Sequence, residues 1–240
     1  MEDNVPETMP LTAVVPSYRP DDRLPVRLAS LLASGFQRVI AVDDGSGQDF
    51  HSIFDAAAEI EGCTVLRHDV NLGKGAALKT AFRHVVEKCR ESVGVVTADA
   101  DGQHAPEDCR RVGEALLDDQ SAIALGTRDF RYGNMPFRSW WGNKWTTALF
   151  AVIYGKRIPD TQTGLRAFGR DILARLLNVP GAGYEYEMAV LCRAARSRIP
   201  LRFVPIRTIY EDGNASSHFS PLRDTVRIYR ALFGNVFSRL

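Results

Sequence analysis

Short apolar runs alternate with amphipathic segments over the first 125 residues, and this alternation limits the fold more than any other feature. The apolar runs, which predict strands, are 11–15, 39–42, 63–66, 93–96 and 122–125. Segments with apolar residues at helical spacing lie between them, over 24–32, 53–60, 77–85 and 106–117. Strands that alternate with helices of this length form β-α-β units around a mostly parallel sheet. The sequence therefore predicts a single α/β domain.

Composition excludes several classes of protein. The chain has 240 residues with 30 basic and 29 acidic side chains, a balance that gives no reason to expect nucleic-acid binding. The four cysteines are scattered without a C-x-x-C pair, which predicts reduced thiols in a cytoplasmic protein rather than a disulfide framework or a zinc site. No apolar run is long enough to span a bilayer.

Three regions are predicted along the chain. Residues 1–10 are acidic and contain proline, which indicates a disordered lead-in without the features of a signal peptide. Residues 11–220 form the main domain, and residues 221–240 form an amphipathic helix, with its apolar pattern over 226–240. The tryptophan-rich segment 140–154 fits either a buried helix with an aromatic face or a helix that lies in a lipid interface.

The fourth apolar run leads into a dense group of polar side chains. Asp99, Asp101, Gln103 and His104 follow it within a few residues, and Pro106 then opens a helix. In open α/β sheets ligands bind at the carboxyl ends of the strands, which is where these side chains would lie. Carboxylate and amide oxygens suit Mg²⁺ or Mn²⁺, although an ordinary polar turn would use the same residues.

The familiar phosphate and nucleophile motifs are absent. The Gly-Lys step at Lys74 is followed by Gly75 instead of Ser or Thr, so it is not a P-loop. No G-x-G-x-x-G follows the first strand, and no G-x-S-x-G occurs, which argues against a dinucleotide dehydrogenase and an α/β-hydrolase.

Six short motifs occur in a fixed order over about 155 residues. They are Pro16-Ser17-Tyr18, Asp43-Asp44-Gly45-Ser46, Asn71-Leu72-Gly73-Lys74-Gly75, Asp99-Ala100-Asp101-Gly102-Gln103-His104, Gly126-Thr127-Arg128 and Asp160-Thr161-Gln162-Thr163-Gly164-Leu165-Arg166-Ala167-Phe168. This set resembles the family-2 glycosyltransferases of GT-A type. Within that family it is most similar to the dolichol-phosphate mannosyltransferases and the bacterial undecaprenyl-phosphate sugar transferases. The resemblance covers residues 11 to about 230 and implies a Rossmann-like, mostly parallel sheet flanked by helices.

The resemblance also implies a donor side. The residues it assigns to the pocket for the nucleotide are Pro16, Tyr18, Asp43, Asp44 and Lys74. Asp99 would touch the nucleotide sugar, while Asp101 and Gln103 would hold the metal. His104 matches the family pattern, but a structural role explains it equally well.

On the acceptor side the resemblance implies that Arg128 and Arg138 hold an acceptor phosphate, and the hydroxyl of Ser217 and the imidazole of His218 are further candidates for that role from their own chemistry. Asp160 would either orient a hydroxyl or act as a base, so Asp101, Asp160 and Arg128 are the catalytic candidates. Arg166 is expected to pair with an acidic neighbour. The segment 210–219 departs from the family pattern, because an acidic residue stands where the relatives carry arginine.

The function implied is transfer of one sugar from a nucleotide diphosphate sugar to a polyprenyl phosphate, with a metal ion and inversion, at the cytoplasmic face of a membrane. Segments 140–154 and 226–240 are the surfaces available for docking there. One alternative is a saccharide or soluble acceptor, with Asp160 or Glu187 as the base. Others are a sugar-nucleotide-binding module without activity and a nucleotidyltransferase, although the loop after Pro16 lacks the glycines that the nucleotidyltransferase needs.

Overall fold

The computed structural model describes residues 7–128, 137–207, 209 and 221–240. The strands are β1 (Met9–Ser17), β2 (Phe36–Asp43), β3 (Cys63–Arg67), β4 (Gly94–Thr97), β5 (Ile123–Arg128), β6 (Arg166–Gly169) and β7 (Leu201–Ile206). The helices are α1 (Leu24–Ala33), α2 (His51–Ala58), α3 (Lys74–Lys88), α4 (Pro106–Leu117), α5 (Phe137–Tyr154), α6 (Arg170–Leu176), α7 (Glu185–Arg196) and α8 (Pro221–Gly234).

These strands form one sheet in the order β3-β2-β1-β4-β6-β5-β7. All neighbours pair in parallel except β6, which is antiparallel to both β4 and β5. The parallel strands end on one edge of the sheet, which we call the rim. The predicted single α/β domain with a mostly parallel sheet is confirmed.

Both faces of the sheet are buried, and β1 shows how. Val14 points into one hydrophobic cluster, whereas Leu11, Ala13 and Val15 point into the other. This alternation is the two-residue period of a strand. Helices α3, α6 and α7 cover the first face, and α1, α2 and α4 cover the second.

Two predicted boundaries differ from the structure. Strand β1 begins at Met9, inside the predicted lead-in, because the Met9 side chain is buried and its N–H donates to Gly35 O at 2.7 Å. Helix α8 begins at Pro221, where the predicted C-terminal helix 221–240 begins, and ends at Gly234, before the predicted end. Leu232 is fully buried and the Tyr154 hydroxyl donates to its carbonyl, so α8 packs into the core.

Helix α5 does not bury all of its aromatic residues. Asn143, Thr146 and Phe150 are buried, whereas the side chains of Trp145 and Val152 are 62% and 83% exposed. A fully buried aromatic helix is therefore wrong for Trp145, and contact with lipid stays a prediction. None of the helices in the described part of the chain combines the length and apolarity needed to cross a bilayer.

The cysteines are free thiols, as predicted. Burial raises the pKa of Cys109 to about 12 and that of Cys63 and Cys192 to about 11.

Candidate functional site

The Asp-x-Asp loop begins where β4 ends at the rim. The hydroxyl of Thr97, the last residue of β4, donates to Gly164 O at 2.7 Å and ties the strand to the loop before β6. The chain then turns through Gly102 at a φ of +80°, a conformation that favours glycine. The amide of Gln103 donates to Asp101 Oδ1 at 3.0 Å, which fixes the Asp101 carboxylate within the turn.

Lys74 joins this loop to two other elements. It is the first residue of α3, and its Nζ lies 2.7 Å from Asp99 Oδ1 and 2.9 Å from Glu187 Oε2 on α7. Burial alone would lower the pKa of Lys74, but the two carboxylates raise it well above its usual range. Motifs far apart in the sequence therefore converge on one ammonium group.

Each oxygen of the Asp99 carboxylate has a side-chain partner. His104 Nε2 lies 3.2 Å from Asp99 Oδ2, on the side away from Lys74. Burial alone would raise the pKa of Asp99, but Lys74 and His104 hold it well below its usual range. His104 Nδ1 is buried and, among the described residues, has no hydrogen-bond partner.

Asp101 and Gln103 fit a hard divalent cation. Burial and the neighbouring charge of Asp99 raise the pKa of Asp101, and a cation would offset both effects. Among the described residues no three His, Cys, Asp or Glu side chains converge into a complete metal site. Asp101 and Gln103 would therefore hold Mg²⁺ or Mn²⁺ together with oxygens of a bound ligand.

The two aspartates that follow β2 organise the loops of the predicted nucleotide pocket. Asp44 accepts hydrogen bonds from the amides of Leu72 and Gly73 at 2.9 and 2.8 Å, and His68 Nδ1 lies 2.8 Å from its carboxylate. Asp43 accepts from Ser46 N at 2.9 Å. Both aspartates are only 3% exposed: Asp44 fixes the loop before Lys74, and Asp43 fixes the turn at Ser46. Their contact with a nucleotide stays a prediction.

Pro16 and Tyr18 lie at the rim end of β1. Pro16 is within the strand, in register with Val42 of β2, and the half-buried Tyr18 follows the strand. The Arg19 guanidinium carbon lies 5.2 Å from the centre of the Tyr18 ring. Their position on the rim agrees with the predicted pocket, and their contact with a base also stays a prediction.

The acceptor-side candidates Arg128 and Asp160 form an ion pair. Arg128 Nε and Nη2 lie 2.8 and 3.3 Å from the two Asp160 oxygens, and Gln162 N donates to Oδ1 at 3.0 Å. The Asp160 side chain is fully buried, whereas that of Arg128 is 20% exposed. The guanidinium of Arg128 is therefore partly exposed at the surface of the site and is held there by the buried Asp160 carboxylate. The contact of Arg128 with an acceptor phosphate stays a prediction.

Within the described part of the chain Arg166 forms no ion pair with an acidic side chain, contrary to the prediction. Its guanidinium donates to three main-chain carbonyls, those of Thr161, Thr163 and Glu187. The side chain is 2% exposed, and these bonds fix the loop that carries Asp160.

The sequence reasoning missed the contact that holds the end of β7. Arg207 N donates to Asp108 Oδ2 at 2.8 Å, and its guanidinium pairs with Glu107. Both acidic residues lie in the first turn of α4, immediately after the Asp-x-Asp loop. The signal in the sequence that could have indicated this contact is the pair of adjacent acidic residues, Glu107 and Asp108, at the start of α4. Ser217 and His218 lie outside the described residues, as does the side chain of Arg138.

Comparison with known proteins adds two relatives whose reactions are named. The chain is 27% identical to a UDP-N-acetylglucosamine–dolichyl-phosphate N-acetylglucosaminyltransferase of Methanococcus voltae, over 83% of this chain and 85% of that protein. It is 28% identical to a polyprenol monophosphomannose synthase of Mycolicibacterium smegmatis, over 80% and 75% of the two chains.

A solved structure shares the fold. Glucosyl-3-phosphoglycerate synthase of Mycobacterium tuberculosis, crystallised with Mn²⁺, UDP and glucosyl-3-phosphoglycerate, superposes with a TM-score of 0.70 at 16% identity. The match covers 99% of this chain and 82% of that one.

The family described as glycosyl transferase family 2 matches residues 12–177, well over half of the chain. The Asp-x-Asp loop, Lys74 and the Arg128–Asp160 pair all lie within that range. The chain is a glycosyltransferase and belongs to glycosyl transferase family 2.

Proposed function

We propose that this protein transfers one sugar from a nucleotide diphosphate sugar to a polyprenyl phosphate, with inversion at the anomeric carbon. An oxygen of the acceptor phosphate forms the new bond to that carbon. The bond to the donor diphosphate breaks, and its electron pair leaves with the nucleoside diphosphate.

The acceptor class is inferred from the two candidate bases, Asp160 and Glu187, because both carboxylates already form ion pairs. Asp160 is fully buried, and both of its oxygens accept hydrogen bonds from Arg128 or Gln162. Glu187 is committed to Lys74 at 2.9 Å. A hydroxyl acceptor needs a base that can reach its proton, whereas a phosphate acceptor is already ionised. The ion pairing of both carboxylates therefore favours the phosphate.

On the donor side, Asp101 and Gln103 would hold Mg²⁺ or Mn²⁺ against the diphosphate. The bound cation supplies positive charge that stabilises the leaving group. Lys74 holds the Asp99 carboxylate close to α3 and α7. In that position Asp99 would contact the sugar of the nucleotide donor. The loop between Leu72 and Lys74, fixed by Asp44, would line the nucleotide.

On the acceptor side, Arg128 would present its guanidinium to the acceptor phosphate from its buried anchor on Asp160. The planar fork of arginine suits a phosphate. Arg138, from the family pattern, and Ser217 and His218, from their own side-chain chemistry, are the further proposed contacts. The named relatives from Methanococcus and Mycolicibacterium act on dolichyl and polyprenol phosphates, which supports this acceptor class. We place the reaction at the cytoplasmic face of a membrane, with α5 or α8 against the lipid.

The deciding experiment is an acceptor panel with one donor at saturating Mn²⁺. A polyprenyl phosphate, the matching polyprenol and a free saccharide are compared by release of nucleoside diphosphate. We expect turnover with the phosphate alone. Turnover with the polyprenol or the saccharide would reject the proposed acceptor.

The donor is found by thermal shift with UDP, GDP, TDP and CDP, each with and without Mn²⁺. A ligand that binds only the native state raises the unfolding midpoint. UDP is expected to give the largest shift, because the Methanococcus relative uses a UDP sugar and the Mycobacterium structure contains UDP. If no nucleotide shifts the midpoint, the proposed donor site is wrong.

Arg138→Ala tests the acceptor side. It should raise the KM for the polyprenyl phosphate while the Kd for the nucleotide stays unchanged. Equal losses on both would remove Arg138 from the acceptor site.

A further inference from the structure

A groove of about 790 Å³ lies between α7, α8 and the turn over residues 180–183. Its volume is in the range of sites for small organic ligands. Four arginines line it, Arg193 from α7 and Arg223, Arg227 and Arg230 from α8.

These guanidinium groups have few acidic partners. Arg193 Nε donates to the neutral Asn235 side chain at 2.9 Å, and Arg227 Nη1 lies 3.9 Å from Asp224. Arg223 and Arg230 are exposed and form no ion pair with the described residues.

The groove has an excess of positive charge after its acids are counted. Glu185 is the carboxylate in its lining, and its Oε1 already accepts the amides of Ala182 and Gly183, at 3.0 Å each. Asp224 is buried beside Arg227. Lys79, which donates to Gly181 O at 2.8 Å, adds a further cation at the groove wall.

The positive charge of Arg193 affects the pKa of Lys79, which lies next to the groove. Burial lowers the pKa of Lys79, and the positive charges of Arg193 and Arg83 lower it further, although Glu185 opposes them. Arginines that face one another without anions are unfavourable, and a bound anion would relieve the repulsion.

The groove adjoins the predicted nucleotide loop, because residues 71–73 line it, but its lining does not include Lys74, Asp99, Asp101 or Arg128. One wall is the turn that holds α3, where Ala76 N donates to Ala182 O at 2.9 Å. Lys74 is on the same helix but pairs with Asp99 and Glu187. Arg128 ends β5, whereas the loop over residues 71–73 that lines the groove follows β3, at the other edge of the sheet.

We propose that this arginine groove is a second anion site, which binds a phosphate-bearing organic ligand. Guanidinium forks hold phosphate oxygens in pairs, and four arginines line this groove. Val226, Phe233 and Phe237 lie exposed beside the arginines, so the phosphate group would enter next to an apolar surface. The phosphate can come from a lipid headgroup or from a soluble ester.

Two probes test the site and separate these sources. Inorganic pyrophosphate is titrated calorimetrically in EDTA, which removes metal-dependent binding at the Asp-x-Asp loop. Vesicles of equal parts phosphatidylcholine and phosphatidylglycerol are compared with phosphatidylcholine alone by co-sedimentation. Pyrophosphate binding without sedimentation indicates a soluble ester, and sedimentation with the phosphatidylglycerol vesicles indicates a lipid headgroup.

Three variants locate the binding. R223Q/R230Q removes two unpaired charges, and R90Q is the matched control, an exposed arginine that precedes β4 at the edge opposite the rim. G234L fills the groove without a change of charge, because a Cβ at Gly234 would meet no atom within 4 Å.

We expect the wild type and R90Q to bind, with R223Q/R230Q and G234L at least tenfold weaker. The proposal is overturned if the wild type binds neither probe or if R223Q/R230Q binds as well as R90Q. It is also overturned if G234L binds like the wild type, since the effect would then be surface charge alone. None of these outcomes bears on the proposed sugar transfer.

Discussion

Lys74 Nζ lies 2.7 Å from Asp99 Oδ1, and this contact joins the glycine-rich loop after β3 to the Asp-x-Asp loop after β4. The same ammonium group lies 2.9 Å from Glu187 Oε2 on α7, so one side chain connects two loops and a helix at the rim.

Lys74→Met should therefore weaken both the fold and the donor site. Asp99 and Glu187 would face each other without a cation, and loss of one partner of a buried pair costs about 3 kcal/mol. Urea unfolding and nucleotide binding with Mn²⁺ measure the two effects. Lys88→Met, at the exposed end of the same helix, is the control and should change neither. Unchanged nucleotide affinity in Lys74→Met would show that the contact is purely structural.

The same contact predicts a dependence of stability on pH. Because the pKa of Asp99 is held below its usual range, its stabilising contribution is complete above the unfolded-state value of about 3.9 and is lost as the pH falls below it. The free energy of unfolding should therefore fall as the pH is lowered from about 4 to 2, and it should fall less in Lys74→Met. Parallel pH curves for the two proteins would contradict this linkage.

Asp101→Ala should abolish nucleotide binding that depends on Mn²⁺ and lower turnover by about 10²–10³-fold, as loss of one electrostatic contact to the leaving group does. In the wild type the raised pKa of Asp101 means that protons compete with the metal, so the Mn²⁺-dependent thermal shift should weaken as the pH falls. Glu59→Gln, an exposed carboxylate at the end of α2, is the control. Full turnover by Asp101→Ala would remove this residue from the metal site.

A double-mutant cycle of Arg128→Gln and Asp160→Asn should show strong coupling. Arg128→Gln leaves the fully buried Asp160 carboxylate without its cation, which costs about 3–5 kcal/mol. Asp160→Asn leaves the partly exposed Arg128 and should cost less, whereas the double variant leaves a neutral pair. Chemical unfolding gives the coupling energy. Additive effects would mean that the two side chains do not stabilise each other.

Gly164→Ala should disturb the donor site from a distance in sequence. A Cβ at this position would collide with the Asp99 carboxylate and push it from Lys74. We expect weaker nucleotide binding with only a modest fall in stability. Gly234→Ala, whose Cβ meets nothing, should leave nucleotide binding unchanged. Equal affinity in both variants would show that the position of Asp99 does not matter for the donor.

Much of the fold follows from local pattern. The run 201–206 predicts β7 with its observed bounds, and Pro106 marks the observed start of α4. The position of β6 does not follow in this way. It has four residues and lies antiparallel between β4 and β5, an arrangement set by contacts between segments far apart in sequence.

The site shows the same division. Motif order brings Lys74 and Asp99 to one rim, because parallel strands end there. The partner of each side chain depends on rotamers and packing that no spacing encodes. Arg166 illustrates this, because its buried guanidinium donates to the main-chain carbonyls of Thr161, Thr163 and Glu187 instead of pairing with the expected carboxylate.

The central place of β6 has a consequence during synthesis. Until residues 166–169 leave the ribosome, β4 lacks one of its two neighbours and the emerging chain carries an open strand edge in the middle of its sheet. The nucleotide-side loops can form early, but Asp160 and Gly164 reach Arg128 and Asp99 only when β6 inserts. Nascent chains that stall before this strand should therefore depend on chaperones, since unpaired edges promote aggregation.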